Sequence, residues 1–129
     1  IVDKLSYHFK EPKRFDIIVF PYKHEKNTYY IKRIIGLPGD TVQVIDGYVY
    51  IDGELLDSDI YGAEVMMSAD LAAEPIQLGE DEYFVLGDNR NHSSDSRDPS
   101  VGVLKREDLI GRAWVRIYPF NKMGVIRHE

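Results

Sequence analysis

The chain has 129 residues, of which 43% are hydrophobic and 29% are charged. A chain of this length and apolar content is long enough for one domain with a modest core, and it is too apolar for intrinsic disorder. The formal net charge of -6 argues against a nucleic-acid partner, and the absence of cysteine excludes disulfides, thiolate zinc sites and a cysteine nucleophile.

The first predicted elements are short strands. Residues 16–20 form a β-branched run that ends at Pro21, and residues 28–35 form a second run closed by Gly-Leu-Pro-Gly. Such runs, bounded by turn residues, are typical of strands. Between the apolar stretches at 41–45 and 48–51 stands Asp46-Gly47, which predicts a tight type I′ hairpin because both turn positions need a positive φ.

The pattern loosens at residues 54–79, which predicts a small cap inserted between strands and standing off from them. Within it, residues 68–74 are expected to form one or two helical turns before Pro75 stops them.

After the cap, strand character resumes at residues 82–86, and a long polar loop occupies residues 88–102. Residues 106–109 suit a short helical turn, and residues 111–118 predict a last strand. No apolar run approaches the roughly 20 residues needed to span a bilayer. The sequence therefore predicts an all-β single domain over residues 1–129.

Lys32 is the first candidate for chemistry. It follows Tyr29, Tyr30 and Ile31 and precedes two isoleucines, so it lies inside an apolar strand. Burial lowers the pKa of a lysine toward neutrality, and a neutral amine is able to act as a general base. The alternative is a lysine on a solvated strand face with its ammonium in water, and this segment alone leaves both interpretations open.

The polar loop supplies further candidates. Residues 87–97 read Gly-Asp-Asn-Arg-Asn-His-Ser-Ser-Asp-Ser-Arg, and Asp95 and Arg97 in it are suited to a charge-assisted pair. The main alternatives are a polar surface loop and a calcium loop. The calcium loop is disfavoured because Arg90 and His92 occupy positions where an EF-hand needs oxygen ligands.

A Ser-His-Asp triad built within this loop from His92, Ser93 and Asp95 is also disfavoured. Neighbouring residues of an extended loop point apart, and triad members normally meet from separate elements. The remaining histidines show no metal-ligand spacing, so we expect no metal site.

In this order, the two segments resemble the two most diagnostic motifs of type I signal peptidases. Residues 32–40 match the family's Lys-Arg-x-x-Gly-x-Pro-Gly-Asp box, and residues 87–97 match its Gly-Asp-Asn-x-x-x-Ser-x-Asp-Ser-Arg box. Residues 14–20 resemble the family's Arg-Gly-Asp-hydrophobic strand, with Phe15 in place of the usual glycine. The similarity covers essentially the whole chain except residues 54–79. It implies antiparallel twisted sheets of the signal-peptidase type.

The resemblance implies a serine endopeptidase with a Ser-Lys dyad, which removes signal peptides from exported preproteins after an Ala-x-Ala-like site. In that mechanism Lys32 is the general base, and the hydroxyl of Ser93 holds the lysine amine in line. The implied supporting residues are Gly87, which leaves room beside the lysine, the salt-bridged Asp95 and Arg97, Asp88 close to that pair, and Asn89. The implied substrate-binding residues, which line shallow apolar pockets, are Val19, Tyr29, Tyr30 and Ile31.

The family's nucleophile lies in a Ser-Met-x-Pro box that has no match here. Residues 2–7 are similar to the stretch that follows that box, so Ser6 lies past the position of the nucleophile. We therefore expect this chain to carry the lysine base without the serine nucleophile or the oxyanion donors, and to cleave nothing on its own.

The resemblance also implies partners and location. The expected partners are the signal peptides of preproteins and the membrane surface, with an N-terminal membrane anchor absent from this chain. The catalytic domain is expected on the extracytoplasmic face of the cell membrane, and neither a cofactor nor nucleic acid is expected.

Two other functions stay open from the sequence. A self-cleaving repressor-type Ser-Lys protease has a related β fold, but it needs an internal Ala-Gly-like scissile bond, and Gly62 and Ala63 stand in the reverse order. A non-catalytic β-rich binding module is the other alternative. The residues before Ile1 would distinguish them, because a hydrophobic segment followed by Ser-Met-x-Pro supports the signal peptidase.

Overall fold

The computed structural model describes residues 2–5, 11–59, 62, 65–109 and 111–115. In chain order the strands are β1 (Val2–Leu5), β2 (Ile17–Pro21), β3 (Tyr29–Gly36), β4 (Thr41–Ile45), β5 (Tyr48–Ile51), β6 (Glu54–Leu55), β7 (Ile76–Gln77), β8 (Glu82–Leu86), β9 (Leu104–Lys105) and β10 (Gly111–Val115). Two short 3₁₀ helices cover Asp70–Ala73 and Arg106–Asp108. Ser6 and the predicted strand residues 116–118 lie outside the described residues.

The strands form two sheets. The larger has the order β1-β10-β2-β3-β8-β9, and the smaller has the order β6-β5-β4-β7. All pairings between these strands are antiparallel, which confirms the predicted all-β class. Within the described ranges, no helix has the length and apolar character to cross a bilayer.

The predicted hairpin is confirmed in detail. Strands β4 and β5 have the predicted bounds and pair from Val42 opposite Ile51 to Ile45 opposite Tyr48. The turn residues Asp46 and Gly47 have φ values of 52° and 86°. Both values lie in the left-handed region that a type I′ turn requires.

Strand β8 carries residues of both hydrophobic cores. Tyr83 and Val85 belong to one cluster, and Phe84 and Leu86 belong to the other, because successive side chains of a strand leave opposite faces. The second cluster joins the larger sheet to β4 and β5. At Gly36 a Cβ atom would lie 2.7 Å from Val42 Cγ2, so glycine is needed where the two sheets meet.

The described part of the predicted cap at residues 54–79 is joined to the smaller sheet by a short strand near each end. Strand β6 pairs with β5, and β7 pairs with β4. Met66 and Ala72 are buried in the second cluster, and the predicted helical turn is the 3₁₀ helix Asp70–Ala73. This segment therefore lies against the sheet instead of standing off from it, because its apolar residues complete the core.

Candidate functional site

Lys32 is buried on the central strand β3. Its backbone lies opposite Ile18 of β2, and its side chain is only 4% exposed. The Nζ atom lies 5.2 Å from the centre of the Tyr30 ring, which is two residues away on the same face of the strand. The interpretation of Lys32 as a lysine on a solvated face is therefore wrong.

The amine of Lys32 meets a hydroxyl group from the polar loop. Its Nζ donates a hydrogen bond of 2.9 Å to Ser93 Oγ, although the two residues are 61 positions apart. Burial penalises the charged ammonium, and the amine is held against a neutral hydroxyl. This contact joins the two sequence motifs at one point.

Gly87 provides the space in which this contact forms. It follows β8, one step beyond Leu86, which pairs with Arg33 of β3. A Cβ atom on Gly87 would lie 1.9 Å from Ser93 Oγ and 3.4 Å from Lys32 Nζ. Any larger residue would therefore overlap the serine side chain in its present position.

The loop that carries Ser93 is held by the buried pair of Asp95 and Arg97. Asp95 is fully buried and Arg97 is 5% exposed. The Asp95 carboxylate accepts hydrogen bonds from Arg97 Nε and Nη2, each at 2.9 Å, and from the backbone N–H groups of Arg97 and Gly87, each at 3.1 Å. Such a set of bonds offsets the cost of burying both charges.

Further hydrogen bonds of Arg97 and Ser96 hold the loop to itself and to β8. Arg97 Nη2 also donates to the carbonyl of Arg90, which closes the loop on itself. Ser96 is fully buried and exchanges two hydrogen bonds with the backbone of Val85 at 2.9 and 3.0 Å. The C-terminal side of the loop is thus fastened to the end of β8.

Asp88, which was expected close to the Asp95–Arg97 pair, forms an ion pair with Arg33 of β3. Its carboxylate accepts two bonds from Arg33, at 2.7 and 2.9 Å. The register explains this choice, because Arg33 lies opposite Leu86 on the neighbouring strand, only two residues before Asp88. The expected supporting residue Asn89 is exposed, and its carbonyl accepts the N–H of His92 at 3.0 Å.

The four expected substrate-binding residues are divided between the two faces of the larger sheet. Val19 and Ile31 are cross-strand partners, and by strand alternation they lie on the face opposite Tyr30 and Lys32. Tyr30 is buried and stacks on Tyr22 at a ring separation of 4.6 Å. Tyr29 is 40% exposed. The structure therefore brings Val19 and Ile31 together and separates Tyr30 from them.

Sequence reasoning missed the ion pairs that connect distant segments. The Arg33–Asp88 pair links the two motifs, and the presence of both residues at fixed motif positions was a usable signal. Arg90 and Asp59 form a second pair with two bonds of 2.8 Å and almost complete burial. Asp59 lies in the loosely patterned segment, so nothing in the sequence pointed to it.

The chain is similar to known proteins in both sequence and fold. The family described as "Signal peptidase, peptidase S26" matches residues 1–118. The chain is similar to a "Probable signal peptidase I-2" of Synechocystis sp. (strain ATCC 27184 / PCC 6803 / Kazusa), at 41% identity over 100% of this chain and 59% of that protein. It is 44% identical to a "Signal peptidase I" of Leptolyngbya laminosa, over 96% of this chain and 62% of the relative.

A solved structure is also similar. The crystal structure of a signal peptidase I from Enterococcus faecalis V583 has a TM-score of 0.62 and 34% sequence identity, covering 80% of this chain and 97% of that one. The chain spans about three fifths of the length of the two curated relatives.

Proposed function

Because the chain belongs to the signal peptidase family, peptidase S26, we propose that it is the catalytic β-domain of a serine endopeptidase that removes N-terminal signal peptides from exported preproteins. The observation that carries the proposal is the buried Lys32 amine, 2.9 Å from Ser93 Oγ. A Ser-Lys dyad needs an uncharged amine in a water-poor position, and burial favours that form.

In the proposed reaction Lys32 Nζ takes the proton from the hydroxyl of a nucleophilic serine, and the serine oxygen attacks the scissile carbonyl carbon. The resulting ammonium then gives the proton to the leaving amine, and an acyl-enzyme remains. In the second half of the reaction, water attacks the acyl carbon while Lys32 Nζ accepts its proton; the bond to the serine oxygen then breaks, and Lys32 returns the proton to that oxygen. We propose that the attacking serine belongs to a Ser-Met-x-Pro segment on the N-terminal side of Ile1.

Ser93 orients the base in this mechanism. Its Oγ accepts a hydrogen bond from the Lys32 amine, and this bond fixes the orientation of the amine relative to the sheet. Gly87 leaves the space for that contact. Asp95 and Arg97 keep the loop in place through their buried bonds, and Asp88 and Asn89 support the same turn.

We further propose that the substrate binds as an extended chain with small residues at the -1 and -3 positions, the Ala-x-Ala pattern. Shallow apolar pockets exclude larger side chains by size. Val19, Tyr29 and Ile31, which share one face of the sheet, are the candidate lining residues of one pocket, and Tyr30, on the Lys32 face, is the candidate for a second. The pairing of Val19 with Ile31 supports a pocket on the face of the larger sheet that these two residues share. The proposed location is the extracytoplasmic face of the cell membrane, reached through an N-terminal anchor.

The test uses the chain extended at Ile1 by a Ser-Met-x-Pro segment and a preprotein with an Ala-x-Ala site. Lys32→Ala is expected to lower the cleavage rate by roughly 10²- to 10⁴-fold, because a general base contributes that much. Lys26→Ala is the matched control, since Lys26 is an exposed lysine in the loop between β2 and β3, and its rate is expected to stay unchanged. Full activity of Lys32→Ala would refute the assignment of the base.

A further inference from the structure

Two segments next to the candidate site are hydrogen-bonded to each other. They are residues 65–71 and the loop at residues 88–97. Arg97 joins them on the C-terminal side of the loop. Its Nη1 donates to the carbonyl of Ser68 at 3.1 Å, and its own carbonyl accepts the N–H of Leu71 at 3.0 Å. These bonds fix the loop after Ser93.

Asn91 makes the corresponding connection before Ser93. Its Oδ1 accepts the backbone N–H of Met67 at 2.8 Å, and its Nδ2 donates to the backbone carbonyl of Val65 at 3.1 Å. The two backbone groups are those that an extended segment presents to one side. The carboxamide of Asn91 therefore pairs with the segment as a peptide group of a neighbouring strand would.

The segment to which Asn91 is hydrogen-bonded is itself packed on the smaller sheet. Met66 is 6% exposed and Ala72 is fully buried in the second hydrophobic cluster. The N–H of Met66 donates to the carbonyl of Gly47 in the β4–β5 turn at 3.1 Å. Core packing thus fixes the position of residues 65–71, and the hydrogen bonds of Asn91 fix the polar loop relative to that segment.

Ser93 needs hydrogen bonds that hold its loop in place, because it lies two residues after Asn91 in a loop without regular structure. Its hydroxyl must stay within hydrogen-bond distance of the Lys32 amine, and a shift of about 1 Å in a catalytic contact costs on the order of 100-fold in rate. We propose that Asn91 is a positioning residue, which holds the Ser93 hydroxyl against Lys32 through residues 65–67. This inference rests on the proposed peptidase function and adds to it a residue at a variable position of the motif.

The experiment uses the extended, cleavage-competent protein and a peptide with an Ala-x-Ala site. Asn91→Ala removes both bonds to residues 65 and 67, so kcat is expected to fall by roughly 10- to 100-fold while KM stays unchanged. Asn91→Gln keeps the donor and the acceptor and is expected to recover part of kcat.

The matched control is Gln77→Ala. Gln77 is also a carboxamide with two hydrogen bonds, accepting from Thr41 Oγ1 at 2.9 Å and donating to the carbonyl of Gly39 at 3.0 Å. These bonds connect β7 to the start of β4 and to the turn before it, and they do not touch the Ser93 loop. Gln77→Ala therefore removes the same chemical group and is expected to keep kcat. Equal kcat values for Asn91→Ala and Gln77→Ala would overturn the proposal.

A second measurement separates this inference from the proposed function. Hydrogen exchange of the His92 amide, which donates to the carbonyl of Asn89, reports on the loop without any turnover. We expect faster exchange in Asn91→Ala and no change in Gln77→Ala. Unchanged exchange in Asn91→Ala would overturn the positioning role even in an active enzyme, whereas absent cleavage by the unsubstituted protein would overturn only the proposed function.

Discussion

Gly87→Ala tests the contact on which the candidate site depends. The added Cβ atom would lie 1.9 Å from Ser93 Oγ and 2.5 Å from Ser93 Cβ. Carbon atoms in contact are about 3.5 Å apart or more, so the serine side chain has to move by more than about 1 Å. Lys32 Nζ would be 3.4 Å from the new atom, an ordinary contact distance, so the displacement falls on the serine.

The expected consequence is a loss of the Lys32–Ser93 hydrogen bond and a fall in kcat. A misplacement of this size costs on the order of 100-fold, which corresponds to about 2.7 kcal/mol of activation free energy. The assay is the steady-state cleavage of an Ala-x-Ala peptide by the chain extended at Ile1. KM is expected to change little, because the nearest contacts of the added Cβ atom are with Ser93 and Lys32, whose proposed roles are in the chemical step.

Gly79→Ala is the control for the general cost of adding a methyl group to a glycine. A Cβ atom at Gly79 would first meet Glu82 Oε1 at 3.2 Å, so the Glu82 carboxylate, which accepts the N–H of Gly79 at 2.8 Å, has to shift only slightly. We expect nearly unchanged kinetics for this variant. If Gly87→Ala were as active as Gly79→Ala, with Ser93 Oγ still beside Lys32, the argument that the site requires glycine at this position would be wrong.

Two further predictions concern stability. Asp95→Ala should lower the free energy of unfolding by about 3–5 kcal/mol, because it leaves the buried Arg97 unpaired, whereas Asp88→Ala, with a carboxylate 43% exposed, should cost at most about 1 kcal/mol; equal losses in urea denaturation would contradict the assigned burial. Phe15 has a φ of 75°, so Phe15→Gly should be about 1 kcal/mol more stable than Phe15→Ala, the reverse of the order in a regular strand, and thermal unfolding of the two variants decides it.

Local pattern was sufficient for the longer strands and for the sharpest turn. The Asp46-Gly47 pair predicts its hairpin because few residues adopt two successive positive φ values, and no distant contact is needed for that preference. The bounds of β4, β5 and β8 follow from the pattern alone. The two-residue strands β7 and β9 were missed, since two residues are too few to show a period.

Only the tertiary structure decided the backbone conformation of Phe15 and the sheet pairing of the segment at 54–79. The sequence shows only that Phe15 replaces a glycine of the family motif. The positive φ explains why glycine suits this position, and it arises where the N–H of Phe15 donates to the carbonyl of Ile34 at 2.7 Å. Likewise, the segment at 54–79 completes the smaller sheet because β6 and β7 pair with its strands, and its weak pattern could not show this.

For the candidate site, the sequence by itself determined which residues are present and in what order the two motifs occur. The buried state of Lys32 and its contact with Ser93, 61 residues away, required the pairing of β3 with β8. Strand alternation states which residues share a face of one strand, but not which strand lies beside it or what covers that face. Sheet pairing and core packing made that decision, since only they remove the lysine from water and bring the polar loop over it.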